Sequence, residues 1–323
     1  MNSSFLPNWL KRVRVPPVKC QGIKTKLVPF IAGNIQWDGQ GRWIEPFLGS
    51  GVVAFNLAAE RAKLSDANEH IINLYRGVQD GRITEGIVRE RLTEMGNILR
   101  KKGESYFYEV RDRFNANADP LDLLFLNRSC FNGVMRFNSK GKYNVPFGKK
   151  PDRFRKAYIT KIVNQIHWLQ NILRKNRWQI ECLSWKECLA DAQPDDFVYL
   201  DPPYIGRHAD YFNQWDTKDA VELAQVCRAL PCGYALSMWK ENKYRKNEYL
   251  VEWWKDEEIR TFTHFYHVGP KESLRNEMTE ALAIRKGYAA PAEFWDGITT
   301  HGKRCAEVQL SLFDDTEEDH RLP

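Results

Sequence analysis

The chain is short of everything that would anchor it in a membrane or build it around a metal. In 323 residues there is no apolar run near the ~20 needed to span a bilayer, and the opening residues have no apolar leader core. Its seven cysteines are scattered without a Cys-x-x-Cys pair; Cys182 with Cys188, and Cys227 with Cys232, are too isolated for a zinc site. A reduced, cytoplasmic chain without a metal is expected. The glycines after the first strand do not form Gly-x-Gly-x-x-Gly and no Walker lysine follows them, which disfavours NAD and ATP phosphate sites. There is no internal repeat and no low-complexity run.

What is present is an ordinary globular balance, 43% hydrophobic and 28% charged, which suits one large domain or one domain with an insertion. The net charge of +6 is uneven. From Glu307 onward six acids face one base, so the rest of the chain is more basic than the whole. The stretch 140–161 carries Lys140, Lys142, Lys149, Lys150, Arg153, Arg155, Lys156 and Lys161 against a single acid, Asp152. Such a patch suits a polyanion; a solvated basic face is the plain alternative.

Along the chain, GRWIEPFLGSGVVAFNLAAER (41–61) reads as strand, glycine turn and helix, and AKLSDAN (62–68) as a second strand closing on Asp66, a βαβ unit. Helical periodicity dominates 84–126. The polar, glycine-bearing segment 127–154 is too long for a passive connection, and helix resumes over 158–175. WQIECL, DFVYL and GYALSM fit buried parallel strands, with a helix over 218–229 and a further strand in 277–287. Strand and helix alternate, so the fold class is α/β.

Two stretches carry chemistry. The turn Glu45-Pro46-Phe47-Leu48-Gly49-Ser50-Gly51 lets a ligand approach backbone at a sheet edge, and Asp66 at the next strand end can accept hydrogen bonds from both hydroxyls of a ribose. A nucleoside site and a merely structural turn both fit this pattern. The second stretch, FVYLDPPY (197–204), ends a buried strand on a carboxylate and two prolines. Methylating an exocyclic adenine amine requires drawing a flat, delocalised nitrogen toward tetrahedral geometry. Asp201 can accept one N–H and the Pro202 carbonyl the other. Pro203 restricts that carbonyl to an extended backbone. Tyr204 can stack on a base taken out of the helix.

These residues, together with VPPVKCQGIKTKLVPF, YEVRDRFN, LNRSCFNGVMRFNSKGKYNVPFGKKPDRF and DPPYIGRHADYFNQW, resemble the Dam-type (D12 class) adenine-specific DNA methyltransferases over roughly 16–288. Within them they are most similar to modification methylases that recognise GATATC. The resemblance implies a Rossmann-like sheet that binds S-adenosylmethionine, with an inserted, mainly helical DNA target-recognition subdomain. Residues 1–78 and 157–290 would form the catalytic domain, 79–156 the insert and 291–323 an acidic tail. The cofactor set it implies is Cys20, Lys24, Glu45, Pro46, Phe47, Gly49, Gly51, Asp66, Ser184 and Asp201. The catalytic set is Asp201, Pro202, Pro203 and Tyr204. For DNA it implies Phe131 and Asn132 as a wedge into the duplex, Arg136 reading guanine and Lys19 at the start of the site, with Val134, Lys140 and Lys142 beside them. Double-stranded DNA is the expected partner, and a cytoplasmic, nucleoid-associated location is expected. Cys20 departs from the tryptophan of many relatives. Ser184 stands where many carry an aspartate that bonds the cofactor adenine.

His208 follows the quartet without a partner in the sequence and is read as structural. In the tail, QLSLF (Gln309, Leu310, Leu312, Phe313) resembles the short peptide by which replication proteins bind the bacterial sliding clamp. The rival readings are a methyltransferase acting on RNA or on protein glutamine, and a catalytically silent DNA-binding module.

Overall fold

The computed structural model describes residues 13–204, 215–242, 246–267 and 275–291. His208 and the QLSLF peptide lie outside the described residues.

The chain opens with α1 (Val28–Asn34), β1 (Trp43–Glu45), α2 (Ala54–Leu57) and β2 (Arg61–Asp66). α3 (Glu69–Gln79), α4 (Glu85–Lys102), α5 (Glu104–Asn117), α6 (Pro120–Ser129) and α7 (Lys156–Lys175) follow. Then come β3 (Arg177–Cys182), α8 (Trp185–Leu189), β4 (Phe197–Leu200), α9 (Thr217–Ala229), β5 (Gly233–Asn242), α10 (Glu248–Trp254), β6 (Glu258–His267) and β7 (Arg275–Ile284). The seven strands form one sheet in the order β3-β2-β1-β4-β5-β7-β6. β1 to β5 run parallel, whereas β7 is antiparallel to both β5 and β6.

Every residue of β1 and of β4 is buried, the pattern of central parallel strands covered on both faces. Phe197 and Tyr199 enter the larger apolar cluster and Val198 and Leu200 the smaller, as the two-residue period of a strand demands. The larger cluster is continuous from Trp43 and Leu64 of the sheet to Leu92, Phe107 and Phe125 of α4 to α6, so those helices share the core of the sheet. Among the described residues no helix is long and apolar enough to cross a membrane.

From β1 the chain builds β2 and β3 on one side, then crosses to β4 and β5 on the other. The strand order therefore reverses between β1 and β4. In an open α/β sheet ligands bind in the crevice beyond the carboxyl ends of the strands at such a reversal. The turn 45–51 leaves β1 there and the corner 201–204 leaves β4.

Three features differ from the expectation. The helix after the glycine turn is one turn long, because Ala58 turns extended (ψ 143°). The last predicted strand spans Arg275–Ile284 rather than 277–287; its antiparallel direction and two partners were open in the pattern. The outer strand β6 and the short helices α1, α8 and α10 were not anticipated. Short helices and edge strands are set by packing rather than by periodicity.

Candidate active site and nucleic-acid interface

The turn after β1 is built for close approach. Gly49 (φ 49°) and Gly51 (φ 70°) are left-handed, and a Cβ on Gly51 would fall 2.2 Å from the Phe55 ring. A Cβ on Gly49 would meet nothing within 4 Å, so open space faces that backbone. The Gly49 N–H donates to Asp66 Oδ2 (2.7 Å) and the Asn68 N–H to Asp66 Oδ1 (2.8 Å). The turn is thereby tied to the end of β2. Burial raises the Asp66 carboxyl above its ordinary value, against those two bonds. Cys20 lies close enough for the Asp66 charge to add to the burial that raises its thiol.

Glu45 closes β1 at 2% exposure and accepts the Trp43 indole N–H (3.0 Å). Burial holds it well above the carboxylate range. The Trp43 bond opposes this, and the charges of Asp201 and Asp66 add to it. Phe47 meets Trp215 edge-on at 5.5 Å.

Across the crevice, Lys24 Nζ pairs with Asp201 Oδ1 at 2.9 Å and donates to the Gly22 carbonyl at 3.0 Å. The side chains are 5% and 22% exposed. Lys24 also lies 5.0 Å from the centre of the Tyr204 ring, a cation–π contact. Burial raises the Asp201 carboxyl; Lys24 opposes that, and Glu280 reinforces it. The Tyr204 hydroxyl donates to Glu280 Oε2 at 2.9 Å. A small open cavity of about 40 Å³ lies beneath the corner, lined by Pro202, Pro203, Tyr204, Trp215, Trp239 and Tyr249.

Ser184 is differently engaged. It is the N-cap of α8, with its hydroxyl donating to Glu187 Oε2 (2.7 Å) and accepting the Glu187 N–H (3.3 Å). This capping box is legible as Ser-x-x-Glu, and it competes with any bond from Ser184 to a ligand.

The segment 127–154 folds as a hairpin-like loop after α6, bridged at Cys130 with Phe147 and at Phe137 with Tyr143. Asn127 fastens Lys19 to it: the Lys19 N–H donates to Asn127 Oδ1 and the Asn127 amide to the Lys19 carbonyl, both at 2.8 Å. At the loop tip Phe131 is 56% exposed, and Asn132 (φ 53°) and Gly133 (φ 63°) are both left-handed. The Lys19 stem packs against Gly133. Arg136 Nε donates to Asn144 Oδ1 at 2.8 Å. Val134 is half-buried, and its carbonyl accepts from the Tyr143 hydroxyl (3.4 Å). Lys140 and Lys142 are exposed on the turn 138–142, whose N–H groups at both positions donate to Asn138 Oδ1.

Two groups were missed by sequence reasoning. Arg128, buried at 4%, and Arg153 converge with Lys19 on Tyr158. Burial pushes the Tyr158 phenol up, but these three cations outweigh it and leave it below its usual value. Glu280, 3% exposed, lies in β7 within the strand expected over 277–287; an acid directly before the apolar run Ala281–Ile284 is the only local signal.

An open sheet reversing between β1 and β4, with a glycine turn on one strand end and Asp-Pro-Pro-Tyr on the other, is the Rossmann-like sheet of the methyltransferase class. The model of the D12 class N6 adenine-specific DNA methyltransferases matches residues 21–268, and the chain belongs to that family. It is 27% identical over 289 residues to the Type II methyltransferase M1.LlaDCHI of Lactococcus lactis subsp. cremoris, covering 84% of this chain and 95% of that protein. It is 34% identical over 197 residues to the DNA adenine methylase of Serratia marcescens, 58% of this chain and 68% of that one. Type II methyltransferase M.MjaIII of Methanocaldococcus jannaschii is 32% identical over 240 residues, 67% and 80% respectively.

Proposed function

We propose that this methyltransferase transfers the methyl group of S-adenosylmethionine to N6 of an adenine flipped out of double-stranded DNA, within a GATC- or GATATC-type site. The observation that carries the reading is the meeting of the turn 45–51 and the corner 201–204 at one reversal of the sheet, with Lys24 paired to Asp201 at the corner.

The crevice suits the donor. Open space faces Gly49, and each Asp66 oxygen takes one backbone N–H while keeping a lone pair for a ribose hydroxyl. Cys20, Lys24, Glu45, Pro46, Phe47 and Gly51 would line the same site, with Ser184 a weaker member because its hydroxyl is already committed. When bound, S-adenosylmethionine supplies an electrophilic methyl on sulfur.

The chain's own residues prepare the acceptor. Asp201 takes one N6 hydrogen and the Pro202 carbonyl the other, and Tyr204 stacks on the base. Lys24 keeps the Asp201 carboxylate oriented. With its affinity for protons raised by burial, Asp201 is suited to take up the proton that N6 loses. Catalysis is then mainly positioning and hydrogen bonding at the amine. The aromatic walls of the cavity offset part of the stacking lost on flipping.

The exposed ring of Phe131, with Asn132 in a left-handed turn beside it, suits a wedge into the gap that the adenine leaves. Asn144 presets the Arg136 guanidinium for a guanine, whose O6 and N7 accept an arginine fork. Lys19, Val134, Lys140 and Lys142 complete the DNA surface, whose affinity should fall steeply with salt.

The test is transfer of labelled methyl to plasmid DNA carrying GATC and GATATC sites, with the modified adenines mapped by single-molecule sequencing and Asp201→Ala as control. Methyladenine at GATATC alone marks a modification-type enzyme, and at every GATC a general one. Transfer to RNA or protein instead of DNA, or no transfer by a chain that binds DNA, overturns the reading.

A further inference from the structure

Glu280 stands on β7, the strand next to the sheet edge and paired on both sides by β5 and β6, and is 3% exposed. A buried carboxylate in such a strand is costly unless something holds it there. It takes the same face of β7 as Leu282 and Ile284, by the two-residue period of a strand, and the partner strand β5 is irregular beside it. Trp239 of β5 pairs with Glu280 and Glu241 pairs with Thr279, so Lys240 is an extra residue and the ladder bulges beside Glu280. Bulges are enriched next to active sites. Here the carboxylate meets the Tyr204 hydroxyl at 2.9 Å. Lys24 lies over the same ring at 5.0 Å and pairs with Asp201 at 2.9 Å. The ring is thus held at its hydroxyl end by β7 and along one face by the lysine that also orients Asp201.

We propose that Glu280 is a positioning residue for methyl transfer: by accepting the Tyr204 hydroxyl it fixes the ring on which the target adenine stacks. In doing so it sets the distance from N6 to Asp201 and the Pro202 carbonyl. The inference rests on the adenine reading of the site. The proline pair stiffens the backbone of the corner, but the Tyr204 side chain beyond it still has its own torsions to fix. A displacement of about 1 Å at the base is enough to cost about a hundredfold in rate, because the reacting atoms leave near-attack geometry.

The experiment compares Glu280→Ala, Glu280→Gln and Tyr204→Phe in the full-length protein, measuring kcat, KM for DNA, the dissociation constant of S-adenosylmethionine and Tm. Glu280→Ala should lose about 10- to 100-fold in kcat with donor affinity unchanged. Glu280→Gln, which still offers an acceptor, should stay within about threefold of the parent. Tyr204→Phe should lose as much as Glu280→Ala, and the double variant no more than either, since both remove one bond. If Glu280→Ala does not fold, the Tyr204→Phe and Glu280→Gln arms decide alone. The proposal is overturned if Tyr204→Phe keeps the parental kcat, if Glu280→Gln is as poor as Glu280→Ala, or if the two losses multiply. Absence of methylation by the parent protein would instead strike the adenine reading itself.

Discussion

The Lys24–Asp201 pair ties the stability of the site to its chemistry, and one substitution separates them. Lys24→Met keeps the length and apolar stem of the side chain and removes its charge. Breaking a buried ion pair by deleting one partner costs about 3–5 kcal/mol, because the other charge is left uncompensated. Asp201 retains 22% exposure and can relieve the loss by taking up a proton, so the low end applies. About 3 kcal/mol at roughly 2 °C per kcal/mol for a chain of this size predicts a Tm lower by about 6 °C. The sign with pH is fixed by the same pair. Burial already raises the Asp201 carboxyl, Lys24 is the largest opposing influence and Glu280 works with burial. Without Lys24 the carboxyl rises further. A carboxyl raised in the folded state contributes stability that is present below its unfolded value and is lost as pH rises through its folded value. The Tm deficit of Lys24→Met should therefore widen as pH rises above the parent's Asp201 value toward the variant's higher one, and the acid limb of methyl transfer should move to higher pH. Thermal melts and a pH–rate profile read both. Lys24→Met with Asp201→Asn should recover stability yet remain inactive, since the amide oxygen can still accept an N6 hydrogen bond but cannot take up the proton. A Tm deficit independent of pH, together with an unmoved acid limb, would refute the reasoning.

Phe131→Ala should leave Tm unchanged, because the ring is 56% exposed, and lower kcat/KM on duplex DNA by about 10-fold or more through loss of its stacking wedge; a parental kcat/KM in a methylation assay would remove it from the DNA interface. Glu45→Gln keeps an acceptor for the Trp43 indole and removes a carboxylate that burial holds well above its usual range. The stability of the parent contributed by the protonated form is lost as pH rises through the folded value, so the variant should melt higher than the parent in alkaline buffer and match it in acid. Ser184→Ala should cost about 1 kcal/mol of stability by removing the α8 cap. It should leave S-adenosylmethionine affinity by calorimetry nearly unchanged; a large loss of affinity would mean that the donor captures the serine from its capping box.

Much of the scaffold was legible locally. FVYL reads as a strand because four consecutive apolar residues fit a strand covered on both faces, and its stop is written in the prolines beside it. Asp66 is visible because an acid closes the alternating strand AKLSD. The loop tip was legible only in part. Phe131 in a polar segment suggests a surface ring, but its exposure depends on the left-handed turn at Asn132 and Gly133. Ser184 shows the reverse case, where a nearby Glu187 offered a local partner that resemblance alone does not reveal.

The sequence by itself determined the parts whose causes lie within a few residues: the alternation of strand and helix, the two sharp strand ends, the glycine turn and the basic stretch. Tertiary structure alone decided which of these meet. Lys24 reaches Asp201 only because the N-terminal segment crosses the carboxyl end of β4, and Glu280 reaches Tyr204 only because β7 enters the sheet antiparallel beside β5. The physical reason is that a strand's two-residue period tells which face a side chain takes but not which strand lies beside it. The neighbour is chosen by the order in which the whole sheet buries its apolar surface.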